Sequence, residues 1–192
     1  GPACLIANIT AFHERANRTV PRCLHKTRLF FRRCIGNMPV EKVREYLSKY
    51  DLAQRIREFE VSSATVELAA RAVGVEEARI AKTLSFRDGE GCMLVVTAGD
   101  ARVDNKKFRR RFGFKARMLS HEEAEALTGH AVGGVCPFAL PEGVAVYLDA
   151  SLRRFSSVFP AAGSARSAVE LTCGELENCS GGTWVDVCGE RG

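Results

Sequence analysis

Three groups of residues in this 192-residue chain have the types and spacing for chemistry. The first is Gly129-His130-Ala131-Val132-Gly133-Gly134-Val135-Cys136-Pro137-Phe138, with three glycines, one proline and no Asp, Glu, Lys or Arg. Glycine opens backbone conformations closed to other residues and lets a ligand approach the main chain. Pro137 fixes its own φ and biases Cys136 towards an extended shape. A rigid loop with bare amides suits a small polar group or a developing negative charge. It is equally what a plain helix-to-strand connector looks like. Cys136 and His130 within it could act as thiol nucleophile and base, although no acid is at hand to orient the imidazole.

The second is Lys82. Ile80 to Phe86 alternates as a strand, placing Lys82 on one face with Ile80, Leu84 and Phe86. A lysine among apolar neighbours must find an anion or snorkel to water, and spacing alone does not choose between them. The third is a basic helix capped by Asp104 and stopped by Gly113, carrying Lys106, Lys107, Arg109, Arg110 and Arg111. Lys115 and Arg117 follow, and Phe108, Phe112 and Phe114 interleave. Such a run could grip phosphates or simply be a solvated face, with Phe108 and Phe112 in the core.

The elements that must position these groups are readable in order. A helix starts near Pro39, capped by Asn37, and a short strand spans Ile56 to Val61. Thr65 caps a helix from Val66 to Val73 that Gly74 closes. Cys92 to Ala98 is a continuous apolar run typical of a central strand. Ser120 opens a capping-box helix that Gly129 ends, and Thr172 opens another. Asp149 caps a short helix after a strand at Val144 to Leu148. Val158 to Ala161 and Ala168 to Leu171 are short strands around Gly163-Ser164, and Thr183 to Cys188 is the last. Mixed hairpins and helical crossovers imply an α/β fold, a single domain with a mixed, strongly curved β-sheet surrounded by helices.

Gly133-Gly134-Val135-Cys136-Pro137 resembles the GxxxP loop of the YbaK / prolyl-tRNA synthetase-associated editing domain family. Lys82 in Arg79-Ile80-Ala81-Lys82-Thr83-Leu84 and Gly163-Ser164 in Pro160-Ala161-Ala162-Gly163-Ser164 match its other marks, from about Pro39 to Cys188. The resemblance implies a trans-editing aminoacyl-tRNA deacylase that hydrolyses the ester of a mischarged tRNA. The tRNA would be the proline one, carrying alanine, cysteine, serine or threonine, and prolyl-tRNA synthetase is a possible second partner. It assigns the chemistry to Lys82 and to Gly133, Gly134, Val135, Cys136 and Pro137, whose amides would hold the oxyanion. Substrate contacts fall to Thr65, His130, Asp149, Gly163 and Ser164, and tRNA contacts to Lys106, Lys107, Arg109 and Arg110. Arg166 stands where close relatives have asparagine, and Glu60 to Ser63 lacks a histidine found in some. The rival class is a binding module for tRNA or a synthetase, which needs the basic helix but neither Lys82 nor the loop.

Charge is unevenly spread. Residues 1–37 carry net +6 and residues 38–192 net −1, so nucleic-acid binding must come from a local patch. We expect a tag scar at Gly1-Pro2 and a basic, poorly ordered extension to residue 37, followed by one domain at 38–192. Eight cysteines at irregular spacing, without CxxC, fit reduced thiols in the cytoplasm. No metal site, cofactor or membrane span is expected, and the oligomeric state stays open.

Overall fold

The computed structural model describes residues 38–189, so the expectations for the basic extension and the Asn37 cap lie outside the described residues. Helix α1 (Met38–Ser48) buries Val40, Val43 and Leu47 completely. After a 3-10 turn at Ala53–Arg55 comes β1 (Ile56–Glu58), then α2 (Val66–Val73). The hairpin β2 (Ile80–Asp88) and β3 (Gly91–Ala98) follows, then β4 (Arg102–Val103) and α3 (Asn105–Phe112). The remainder is α4 (His121–Thr128), β5 (Ala145–Asp149), β6 (Phe159–Pro160), β7 (Ser167–Val169), α5 (Cys173–Ser180), β8 (Thr183–Val185) and β9 (Cys188–Gly189).

A five-stranded sheet in the order β6-β2-β3-β5-β8 forms the centre, and β1-β7 and β4-β9 make separate two-stranded pairs. The β2-β3 pair is antiparallel, whereas β6, β5 and β8 join in parallel, so the sheet is mixed. β3 is buried from Cys92 to Ala98, because it is covered on both faces. Val95, Val96, Leu148, Leu152, Phe138 and Phe108 share the main core. Burying each such side chain contributes on the order of 1.5–3 kcal/mol.

The helix starts follow their side chains. Thr65 accepts from Leu68 N–H, Asp104 accepts from the Lys106 and Lys107 amides, and Ser120 and Thr172 each close a full capping box. Two expectations change. β1 stops at Glu58 rather than Val61, because Phe59 and Ser63 turn their amides to the carbonyls of Arg166 and Ala165. The last strand is split at Asp186-Val187, where the Asp149 carboxylate takes the Val187 and Cys188 amides at 2.8 and 3.1 Å. Among the described residues no helix is long and apolar enough to cross a membrane.

Candidate active site

A cleft of about 300 Å³ opens between β2, the N-termini of α2 and α4, the glycine loop and β7. Val66, Ala69, Ile80, Phe159 and Val135 make its walls apolar, and hydroxyls from Ser63, Thr65, Thr83, Ser85, Ser120 and Ser167 line it as well. Lys82 also lines it, half-buried on β2. Its ammonium donates to the main-chain carbonyls of Gly99, at 3.1 Å, and Ala101. Carbonyls solvate a cation without cancelling its charge. Asp100, between them, is engaged by the Arg154 guanidinium, which with the weaker influence of Lys82 holds its carboxyl below the usual range.

The glycine loop is shaped by close backbone contact. Gly133 has φ +77°, and a Cβ there would lie 2.8 Å from the Ala64 methyl. At Gly134 a Cβ would lie 2.6 Å from Ser164 Cα and 2.7 Å from Ser164 N, so loop and 163–164 segment interlock main chain to main chain. Gly163, at φ +93°, lies in turn against the Pro39 carbonyl of α1. The Gly134 amide closes a turn onto Ala131 O at 2.9 Å. Among the described residues the amides of Gly133, Val135 and Cys136 have no hydrogen-bond acceptor. Gly133 and Val135 line the cleft. The arrangement can therefore offer backbone donors to a carbonyl oxygen that acquires negative charge.

The side chains of the loop do something else. Cys136 is fully buried, and burial pushes its thiol up to about 12. His130 is buried too, with Nε2 2.9 Å from the Phe138 carbonyl and 3.6 Å from Cys136 Sγ. A carbonyl only accepts, so Nε2 carries the proton and cannot take one from the thiol. Burial lowers the His130 pKa, keeping the ring neutral. The cysteine–histidine nucleophile pair is therefore set aside: the ring ties the two ends of the loop together, and the thiol fills the core beneath it.

The family model for the aminoacyl-tRNA editing domain matches residues 60–179, more than half of the chain. The chain belongs to the aminoacyl-tRNA editing domain family. It is 54% identical over 153 residues to the uncharacterized protein YwhH of Bacillus subtilis (strain 168), covering 79% of this chain and 98% of that protein. Among solved structures it is similar to a candidate trans-editing enzyme for prolyl tRNA synthetase, at 31% identity and a TM-score of 0.72. That match covers 81% of this chain and 98% of the other. It is also similar to the hypothetical protein APE2540, at 32% identity and a TM-score of 0.70 over 77% and 99% of the two chains. The mixed, curled sheet is the architecture of this editing-domain group.

Within the editing domain, the expected site residues divide. Lys82, Thr65, Gly133 and Val135 line the cleft, with the Thr65 hydroxyl occupied as the α2 cap. Gly163 and Ser164 support the loop from behind, and the Ser164 hydroxyl lies 3.0 Å from the Ser167 hydroxyl. Asp149 lies elsewhere: it is buried, accepts from the Ser151, Val187 and Cys188 amides, and borders a second cavity. Of the basic helix, Lys106, Arg109 and Arg110 are exposed, whereas Lys107 pairs with Asp186 at 2.7 Å. Ser63, Thr83, Ser85, Ser120 and Ser167 were not expected in the site. Thr83 and Ser85 alternate with Lys82 and Leu84, so the strand period assigns them to the opposite face and gave no signal that they share the cleft. Among the described residues no cluster of His, Cys, Asp or Glu could hold a metal ion.

Proposed function

We propose that this editing domain hydrolyses the ester joining a small amino acid to the 3′ end of a mischarged tRNA. The observation that best supports this is the glycine loop, held by main-chain interlock with Ser164 and presenting unpartnered amides beside the cleft. Water attacks the ester carbon, and the carbonyl oxygen gains negative charge that amides of the loop stabilise without reorganising. Collapse then breaks the bond to the ribose oxygen, which leaves with the proton lost by the water. Lys82 exchanges its carbonyl partners for terminal phosphate or ribose oxygens and so places the ester. The 2′-hydroxyl of the terminal ribose is within the substrate itself and positions the water. No protein nucleophile is required, in keeping with the buried Cys136 thiol.

A cleft of about 300 Å³ favours a small aminoacyl group. Editing needs such a second sieve because one methylene gives a synthetase only about 1–3 kcal/mol of discrimination. The likeness to a candidate trans-editing enzyme for prolyl tRNA synthetase supports the proline tRNA. The family resemblance of the glycine loop, Lys82 and Gly163-Ser164 supports alanine, cysteine, serine or threonine as the amino acid. Free thiols at Cys92, Cys136, Cys173, Cys179 and Cys188 suit a cytoplasmic setting.

The test is deacylation of proline tRNA carrying each of those amino acids, with correctly charged tRNA as control. Wild-type protein should selectively clear at least one of them, and Lys82→Ala should lose most of that activity. Retained RNA binding with no ester cleaved would instead support a non-catalytic module for tRNA or a synthetase.

A further inference from the structure

The strand-like segment after α3 combines three features. First, it exposes apolar side chains: Phe114 is 37% and Met118 59% exposed. Second, it is rich in cations. Lys115 and Arg117 are exposed between those two side chains, and Arg109 and Arg110 are exposed just upstream. Among the described residues Arg109, Arg110 and Lys115 make no ion pair. Arg117 acts electrostatically on Glu123, whose carboxylate is already engaged by Arg87. Third, the segment runs into the cleft, because Met118, Leu119, Ser120 and His121 line it.

The segment is also held in place. Arg87 N–H donates to the Arg117 carbonyl at 2.9 Å, Leu119 N–H to Ser85 O at 3.1 Å, and Met118 bridges to Phe86 on β2. Phe114 is fixed by its neighbours rather than loose: its ring centroid lies 5.9 Å from Phe108 and 6.2 Å from Phe112. Phe108 is fully buried and half-buried Phe112 packs on the same core, so they anchor the ring, which still keeps over a third of its surface open. An anchored aromatic flanked by unpaired cations is a stacking platform beside a phosphate grip, the combination that binds single-stranded nucleic acid. The cleft at the end of the segment has room for a terminal residue, not for a duplex.

We propose that Gly113–Met118 is the track by which the unpaired 3′ end of an RNA reaches the cleft. Phe114 stacks on a base, Lys115 and Arg117 hold flanking phosphates, and Met118 forms the apolar lip. This deepens the editing reading and rests on it for the identity of the RNA. It also extends the RNA contact from exposed Arg109 and Arg110 of α3 into the segment after it, while Lys107 is committed to Asp186.

The experiment measures fluorescence anisotropy of a single-stranded RNA of about eight nucleotides ending in CCA, over a range of salt. Phe114→Leu keeps apolar bulk but removes the π face, and should weaken binding about tenfold without changing the salt slope. Phe114→Trp should bind like wild type. Lys115→Ala with Arg117→Ala should flatten the salt slope by about 1.4, at roughly 0.7 per phosphate contact. Wild-type binding by Phe114→Leu and by the double variant would overturn the track. Cleavage of a 3′-aminoacyl-adenosine 5′-phosphate, which keeps the terminal phosphate but lacks upstream nucleotides, separates the two ideas. If all variants cleave it equally while RNA binding falls as described, both stand. If none cleaves it and RNA binding still falls, the track stands and the editing reading fails. If all cleave it and RNA binding is unchanged, the track fails alone.

Discussion

Of two cavities among the described residues, the larger is not the better site. The second, about 640 Å³, is bordered by Asp100, Asp149, Asp186, Lys107 and Arg154, more charge than the cleft of about 300 Å³ contains. Yet its charges answer one another: Lys107 pairs with Asp186, Arg154 with Asp100, and Asp149 takes three amides. In the cleft, polar groups are weaker but open. The amides of Gly133 and Val135 have no acceptor among the described residues, and the Thr83 hydroxyl is buried without a partner. A ligand gains little by entering a network already satisfied, and more by completing one that is not. Lys82 stands between the two, lining the cleft while its ammonium reaches Ala101 at the border of the second cavity.

The largest test of that contrast exchanges one glycine in each region. Gly134→Ala must displace the Ser164 main chain and should reduce deacylation at least about 100-fold through loss of loop geometry. Gly189→Ala, at the second cavity, meets nothing within 4 Å and should leave single-turnover rates unchanged. Next come the lysines. Lys82→Ala should cost about 10- to 100-fold in kcat/KM, the value of a charged hydrogen bond, and Lys107→Ala should be close to wild type on the same substrate. Equal losses from both would place the second cavity in the reaction.

Asp149 separates support from chemistry. Asp149→Ala leaves the Ser151, Val187 and Cys188 amides without their acceptor and should lower unfolding free energy by about 3 kcal/mol. Denaturant titration checks this, and the remaining folded protein should deacylate normally. The smallest effect concerns His130. Its folded pKa is depressed by burial, so below about 6.5 the unfolded chain binds a proton that the folded chain resists. Stability is full above that value and declines as pH falls through the window down to the folded pKa. His130→Gln should remove this part of the acid-side decline, measured as the difference in midpoint between neutral and mildly acidic buffer.

Much of the frame was legible because local rules and the fold agreed. Thr65, Asp104, Ser120 and Thr172 all cap the helices their types suggested, and the largely apolar run after Gly91 is the central strand. The glycines at 133, 134 and 163 were visible as unusual, but their reason was not: it is the contact of three segments far apart in sequence. Asp149 misled because an acid before a short helix caps it whether or not it also serves a site. Its second oxygen staples the split last strand, a long-range bond that periodicity cannot show. Cys136 and His130 looked reactive for the opposite reason, since spacing reports proximity and not burial or which nitrogen holds the proton.

The central claim is that main-chain amides of the loop, not its thiol, carry the reaction. The direct measurement is single-turnover deacylation by two proteins. In one, Val135 is replaced by its α-hydroxy acid, which exchanges a single N–H for oxygen; the other is Cys136→Ser. The account predicts a loss of about 10²–10³ in rate for the first and a change of no more than a few-fold for the second. Full activity without the amide, together with an inactive serine variant, would contradict it.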